Sequence, residues 1–146
     1  MTGKDIFNLI NNIKIIIIKN KDEIEKLDQQ IGDGDHIFNI LRGLEEINKL
    51  KDSLIEKSID QLFKQLGVKI MTTVGGSSGA LFATLLIGMS KKYNSQLNNT
   101  VNLSNMFTEG VESMKKRGKS DIGEKTMLDV LTVSYTHLTL PTNREV

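Results

Sequence analysis

The single proline in this 146-residue chain stands at position 141, and its placement constrains the fold more than any other feature. Proline removes a backbone donor and clashes with the preceding helical turn, so everything before it is free to be helix. The apolar residues use that freedom. From Ile6 to Leu27 the positions Ile6, Ile10, Ile13, Ile17, Ile24 and Leu27 keep helical spacing, with Lys, Asn and Asp on much of the other face. The run Ile15 to Ile18 alone would suit a strand, but the longer period continues on both sides of it, and one helix is expected. Ile37, Ile40, Leu41, Leu44 and Ile47 form a second stripe. Ser58 and Gln61 have the spacing of a capping box and open a third, at Ile59, Leu62, Phe63, Leu66 and Ile70.

The fourth segment, Gly79 to Met89, carries no charge. A helix apolar all round must be buried on all sides, which predicts the central helix of a bundle. Leu103, Met106, Phe107, Gly110, Val111 and Met114 make a fifth stripe, ending in Lys115, Lys116 and Arg117 with Gly118 as the expected cap. A sixth segment starts near Thr126. No alternating strand pattern precedes residue 132. The fold class is all-α, an antiparallel bundle or barrel of amphipathic helices joined by short connections.

Composition removes several functions. Nineteen basic against eighteen acidic residues leave a net charge of +1, so no global field favours nucleic acid or an anionic membrane. The absence of cysteine excludes disulfides, thiolate zinc sites and thiol nucleophiles. Met1 to Asp5 has no cationic segment leading into an apolar run, and Ile15 to Ile18 is far too short to span a bilayer. A cytoplasmic protein without membrane or nucleic-acid partners is expected.

Chemistry concentrates in three loops. Asp28, Asp33 and Asp35 lie within eight residues, with no Lys or Arg among them and with Gly32 and Gly34 as hinges. Such charges repel unless water or a cation neutralises them, and hard oxygen ligands suit magnesium or calcium. A solvated acidic turn with helix caps fits the spacing equally well. An EF-hand started at Asp33 fails, because Phe38 stands where glycine is required and Leu44 where glutamate is. Gly75-Gly76-Ser77-Ser78-Gly79 precedes the apolar helix, where Ser77 or Ser78 could cap it or free amides could receive an anion. It lacks the lysine of a Walker loop. Gly118-Lys119-Ser120 has those letters, but Ser113 replaces the leading glycine and the triplet ends a helix. The third loop is Gly123 to Asp129. His36 adjoins the carboxylates and His137 has no evident partner, so no Ser–His–acid arrangement can be argued. A carboxylate cluster and a glycine–serine cradle together imply a metal–nucleotide phosphate site between helix ends.

Three blocks then carry a resemblance: LDQQIGDGDH (27–36) with Asn39 and Arg42-Gly43 following, VGGSSGALFATLL (74–86), and RGKSDIGEKTMLDVL (117–131). In this order they resemble the nucleotide-binding L subunit of dihydroxyacetone kinase, over nearly everything from the first helix to about Leu131. The resemblance implies a barrel of eight antiparallel helices, about six of them here, binding ADP or ATP with two Mg²⁺ at its rim. It implies that Asp28, Asp33 and Asp35 hold the metals and that His36, Ile37, Phe38, Asn39, Gly76, Ser77 and Ser78 meet the phosphates. Gly118, Thr126 and Met127 would line the base pocket. Three aspartates and a diphosphate bring roughly six negative charges against four from two Mg²⁺, with amides and helix dipoles supplying part of the rest. No catalytic side chain is implied, since phosphoryl transfer needs mainly positioning and charge neutralisation.

The resemblance also implies partners: a K-type subunit holding dihydroxyacetone and, in the phosphotransferase-system form, a phosphohistidine-carrying donor subunit. Beginning at Met1 with the first helix favours the stand-alone subunit over the ATP-dependent form, where such a domain ends a longer chain. The nucleotide domain of fatty acid kinases is the nearest competitor, against which His36 stands where threonine is usual. A non-catalytic helical module binding a divalent cation is the reading from another class. Two departures stand out. Ile37 and Ile40 replace the usual glycine and methionine, and a side chain at 37 is expected to crowd a phosphate contact. After about Thr132, VSYTHLTLPTNREV (133–146) matches nothing in the family and reads as β or coil. The expected organisation is an incomplete nucleotide-binding domain over 1–132 and a non-family tail over 133–146, with function impaired.

Overall fold

A computed structural model describes residues 1–139, the side chains of the last two excepted, and its described elements are all helical. They are α1 (Gly3–Lys19), α2 (Lys21–Gln29), α3 (His36–Asn48), the single turn α4 (Lys51–Leu54), α5 (Ile59–Thr73), α6 (Gly76–Ser90), α7 (Asn99–Gly118) and α8 (Met127–Thr139). Helix α6 packs most extensively, with α5 on one side and α7 on the other; α3 lies against α5, α1 and α2, and α8 closes on α7. The core joins Phe7, Leu54, Leu62, Leu66, Met106 and Met114 from four of these helices.

Small residues decide how closely the central helices approach. A Cβ on Gly67 in α5 would come within 2.9 Å of the Ala83 carbonyl oxygen on α6. One on Gly110 in α7 would come within 2.8 Å of the Leu85 carbonyl oxygen. Each helix therefore meets α6 backbone to backbone, at a distance only glycine allows. Asn102, 2% exposed, secures the α6–α7 connection: its Oδ1 accepts from the Asn94 N–H at 2.9 Å, and its Nδ2 donates to the Asn94 and Leu97 carbonyls at 2.7 and 3.0 Å. Between α3 and α5, the Glu46 carboxylate takes Lys69 at 3.0 Å and pairs with Lys49 on its other oxygen.

Helix α1 starts at a formed capping box, with Thr2 as N-cap and Asp5 answering it. Its inner face buries Ile6 and Phe7, but Leu9, Ile15, Ile16 and Ile18 are at least half exposed. Beneath α1 an apolar cavity of about 340 Å³ runs between it, α3, α5 and α6, with Ile10, Ile13, Phe63, Leu66 and Phe82 among its walls.

Several expectations need correction. The helix expected from Ile6 to Leu27 is two, interrupted at Asn20, whose side-chain amide donates to the Ile16 carbonyl at 2.8 Å and closes the first helix. Ser58 is the N-cap of α5, but its side chain makes no capping bond, so the box with Gln61 is not formed. Helix α6 is not buried on all sides: Phe82 is 37% exposed, because α5 and α7 cover only two of its flanks. The cap after α7 is Lys119 in the left-handed region, φ 51°, while Gly118 is the last helical residue. The segment 133–139, read as β or coil, continues α8 as helix. Hydroxyls of Thr132, Ser134 and Thr136 bond back to carbonyls four residues earlier at 2.7–3.0 Å, which accommodates polar and β-branched residues within a helix. Pro141 and the rest of 140–146 lie outside the described residues.

Candidate metal and phosphate site

The acidic loop closes between α2 and α3. Asp28 lies in the last turn of α2, and its Oδ2 accepts the His36 N–H at 3.2 Å, placing a carboxylate on the open amino end of α3. Gly32 lets the chain turn tightly over Asp28, since a Cβ there would come within 2.7 Å of Asp28 Oδ1. Gly34 sits at φ 79°, a conformation that glycine supplies without strain. The turn brings one carboxylate oxygen from each of Asp28, Asp33 and Asp35 within 4.8 Å of one another. Asp33 and Asp35 are exposed and Asp28 half-buried, so the cluster opens to solvent on one side.

Asp35 is the N-cap residue of α3 but makes no side-chain cap bond, which leaves its carboxylate available to a cation. Its backbone N–H donates to Asp33 Oδ1 at 3.3 Å, and Asp35, through that N–H above all, holds the Asp33 carboxyl below its ordinary value. Three negative groups in hard-oxygen geometry on one loop fit a divalent cation of the magnesium class.

The second loop lies beside the start of α3. The Asn39 amide rests against Gly75, where a Cβ would sit 3.8 Å from both its Oδ1 and its Nδ2. Arg42 joins the two loops, donating from Nη2 to Asn39 Oδ1 at 3.0 Å and from Nε to the Thr73 carbonyl at 3.2 Å. Gly76 has φ 74°, and the N-cap of α6 is Gly75 with no side-chain bond. The expected serine cap is therefore absent. Ser77, exposed, and Ser78, half-buried, instead fall in the first turn of α6, whose leading N–H groups have no helical partner.

The third loop runs from α7 to α8 and touches α6 at Gly118, where a Cβ would meet Leu81 Cδ2 at 3.4 Å. It is organised by Asp129. Its Oδ1 accepts the Gly123 N–H at 2.6 Å and its Oδ2 the Thr126 N–H at 3.0 Å, and these amides, Gly123 first, hold the carboxyl below its ordinary value. Thr126 Oγ1 in turn accepts the Leu128 N–H at 3.2 Å. Lys119 and Lys125 both take positive φ, at 51° and 57°, so the loop carries left-handed non-glycine residues near each end. Lys115 anchors its start to Asp121 at 2.9 Å.

The expected site residues thus fall into two groups. Asp28, Asp33, Asp35, His36 and Asn39 share one corner with Gly76, Ser77 and Ser78 beyond Asn39, while Gly118 ends α7, Met127 begins α8 and Thr126 closes the third loop between them. Ile37 is fully buried, so only its backbone can face a ligand. Phe38 is 52% exposed and lies under the Lys21 ammonium, 4.9 Å from the ring centre. Met127 is half-buried and packs against the core. Arg42 and Asp129 are two residues to which the sequence alone assigns no role. For Asp129 a signal existed, since Thr126-x-x-Asp129 has capping-box spacing.

Comparison with known proteins identifies a family. A family model described as the DAK2 domain covers residues 30–145. The chain is 39% identical over 121 residues to the ADP-binding subunit DhaL of a PEP-dependent dihydroxyacetone kinase from Listeria innocua, an alignment that takes in 83% of this chain and 61% of that protein. It is 37% identical over 114 residues to the ADP-binding subunit DhaL of a PTS-dependent dihydroxyacetone kinase from Lactococcus lactis, taking in 78% of this chain and 57% of that one. The alignments thus span about three fifths of these relatives' own length. The crystal structure of the dihydroxyacetone kinase from C. freundii in complex with AMP-PNP and Mg²⁺ superposes with a TM-score of 0.76 at 25% identity, over 91% of this chain and 24% of that one. No helix among the described residues is long and apolar enough to cross a membrane.

Proposed function

This chain belongs to the DAK2-domain family, and on that premise we propose that it is the nucleotide-binding subunit of a dihydroxyacetone kinase. It holds Mg-ADP or Mg-ATP and presents a phosphoryl group to dihydroxyacetone carried by a K-type partner subunit. The observation that carries this reading is the meeting of three carboxylates within 4.8 Å at the head of α3. Its support outside the chain is the name of the relatives, an ADP-binding subunit of dihydroxyacetone kinase.

In this reading Asp28, Asp33 and Asp35 hold two Mg²⁺, which when bound neutralise phosphate charge and polarise the bond to be broken. The chain's own groups do the positioning. The open amides at the starts of α3 and α6, with His36, Ile37, Phe38, Asn39, Gly76, Ser77 and Ser78, receive the phosphates. Gly118, Thr126 and Met127 flank the base. No side chain of the chain need act as a general base, because a loose phosphoryl transition state is served by alignment and charge. The donor in this reading is a phosphohistidine-carrying subunit that recharges bound ADP, and the assembly works in the cytoplasm. The nucleotide-binding unit in this reading is 1–132, although α8 continues past that boundary to Thr139.

Calorimetric titration with MgADP tests the assignment. The unaltered chain should bind, a chelator should abolish binding, and Asp28→Ala, Asp33→Ala or Asp35→Ala should each weaken it on the order of 100-fold. Affinity unchanged from that of the unaltered chain in all three variants would sink the metal site.

A further inference from the structure

We propose that Arg42 is a positioning residue that sets the Asn39 side-chain amide with its N–H₂ group toward the Gly75–Ser78 turn, so that Asn39 donates to a phosphate held there. The role rests on the nucleotide reading above and adds a residue to that site. Two bonds fix the guanidinium. Nε donates to the carbonyl of Thr73 at 3.2 Å, in the last turn of α5 where carbonyls lack helical partners. Nη2 donates to Asn39 Oδ1 at 3.0 Å. A guanidinium has only donors, so the amide atom facing it has to be the oxygen, and the orientation of Asn39 follows from chemistry.

That leaves Nδ2 of Asn39, which has no hydrogen-bond partner among the described residues and lies beside Gly75. The amide is flanked by a turn with no side chain at 75 or 76, space that an incoming anion can use. Both bonds engage one edge of the Arg42 guanidinium, through Nε and Nη2. Lysine cannot replace it. A single ammonium lacks the rigid fork that reaches the Thr73 carbonyl and Asn39 together.

The test is a double-mutant cycle read by MgADP calorimetry, with thermal melts beside it. Asn39→Ala and Arg42→Met should each weaken binding about tenfold, and the double variant should bind no more weakly than Asn39→Ala alone. Arg42→Lys should restore little of the loss. The Asn39 side-chain amide resonances should move on adding MgADP in the unaltered chain and stay in place in Arg42→Met, a readout that a purely structural role of Arg42 would not give. Unaltered affinity in Arg42→Met, or losses that add in the double variant, would overturn the role of Arg42 while leaving the nucleotide reading intact. Failure of the unaltered chain to bind MgADP would remove that reading and this role with it.

Discussion

Helices α6 and α1 are both rich in apolar residues, yet they are held in opposite ways. Helix α6 is locked between α5 and α7 at contacts only glycine permits, with Gly67 and Gly110 each bringing a neighbour against an α6 carbonyl. Helix α1 buries Ile6 and Phe7 but rests over an apolar cavity of about 340 Å³ and turns Leu9, Ile15, Ile16 and Ile18 outward. Dense contact forfeits little dispersion energy, whereas side chains lining a void lack partners on one side. The amount of apolar surface a helix carries therefore does not decide how firmly it is held. Its neighbours do. The Gly75–Ser78 turn, proposed above to receive phosphate, sits on the firmly held helix, which suits a site that works by positioning.

The sharpest way to break this contrast is at Gly110. A leucine there has no room, since its Cβ alone would approach the Leu85 backbone to 2.8 Å and α7 would have to move off α6. Overpacking against backbone costs about 3 kcal/mol, and chemical denaturation should show it as a lowered midpoint. A loss under about 1 kcal/mol would mean that the α6–α7 contact yields, and that α6 is no more tightly held than α1.

The contrast was only half legible in the sequence. Helical spacing gave α3, α5 and α7 nearly to their ends, because their stripes face one neighbour or two and the pattern records that. The same spacing runs unbroken through Asn20, where the chain ends one helix and begins another, so the break left no mark. The uncharged stretch 79–89 was read as enclosed, but absence of charge says only that burial is permitted, and Phe82 stays on the surface. At the site, three aspartates and a glycine–serine turn announced themselves by composition. Arg42 did not, since its two partners are an amide three residues on its amino side and a carbonyl 31 residues on, and only folding makes them neighbours.

Acid should separate the two helices further. In α1, the Thr2 hydroxyl and then the Thr2 N–H hold the Asp5 carboxyl below its ordinary value of 3.8, whereas α6 contains no ionisable side chain. A carboxyl whose folded pKa is depressed contributes its full stability above the unfolded value and loses it as pH falls through the folded one. Protection of the first turn of α1 should therefore decline as pH drops below about 4, with α6 unaffected over the same range. Hydrogen exchange corrected for intrinsic rates measures this, and Asp5→Asn should remove the dependence. Equal acid sensitivity in α6 would show that α1 opens only together with the whole fold.

The smallest expected effect lies on the outer face of α1, at Ile16, which is 60% exposed. Replacing it by lysine removes apolar surface already in water and improves helix propensity slightly. Against that, the new ammonium stands three residues from Lys19, a repulsion worth a few tenths of a kcal/mol on an exposed helix. The backbone bonds from the Asn20 N–H and side chain to the Ile16 carbonyl survive the change. These terms nearly cancel, so Ile16→Lys should alter stability by less than about 0.5 kcal/mol, some sixfold less than Gly110→Leu. A loss of about 2 kcal/mol that grows with protein concentration would show that this isoleucine face is covered in solution, and α1 would then be held as firmly as α6, by a partner surface in place of its own chain.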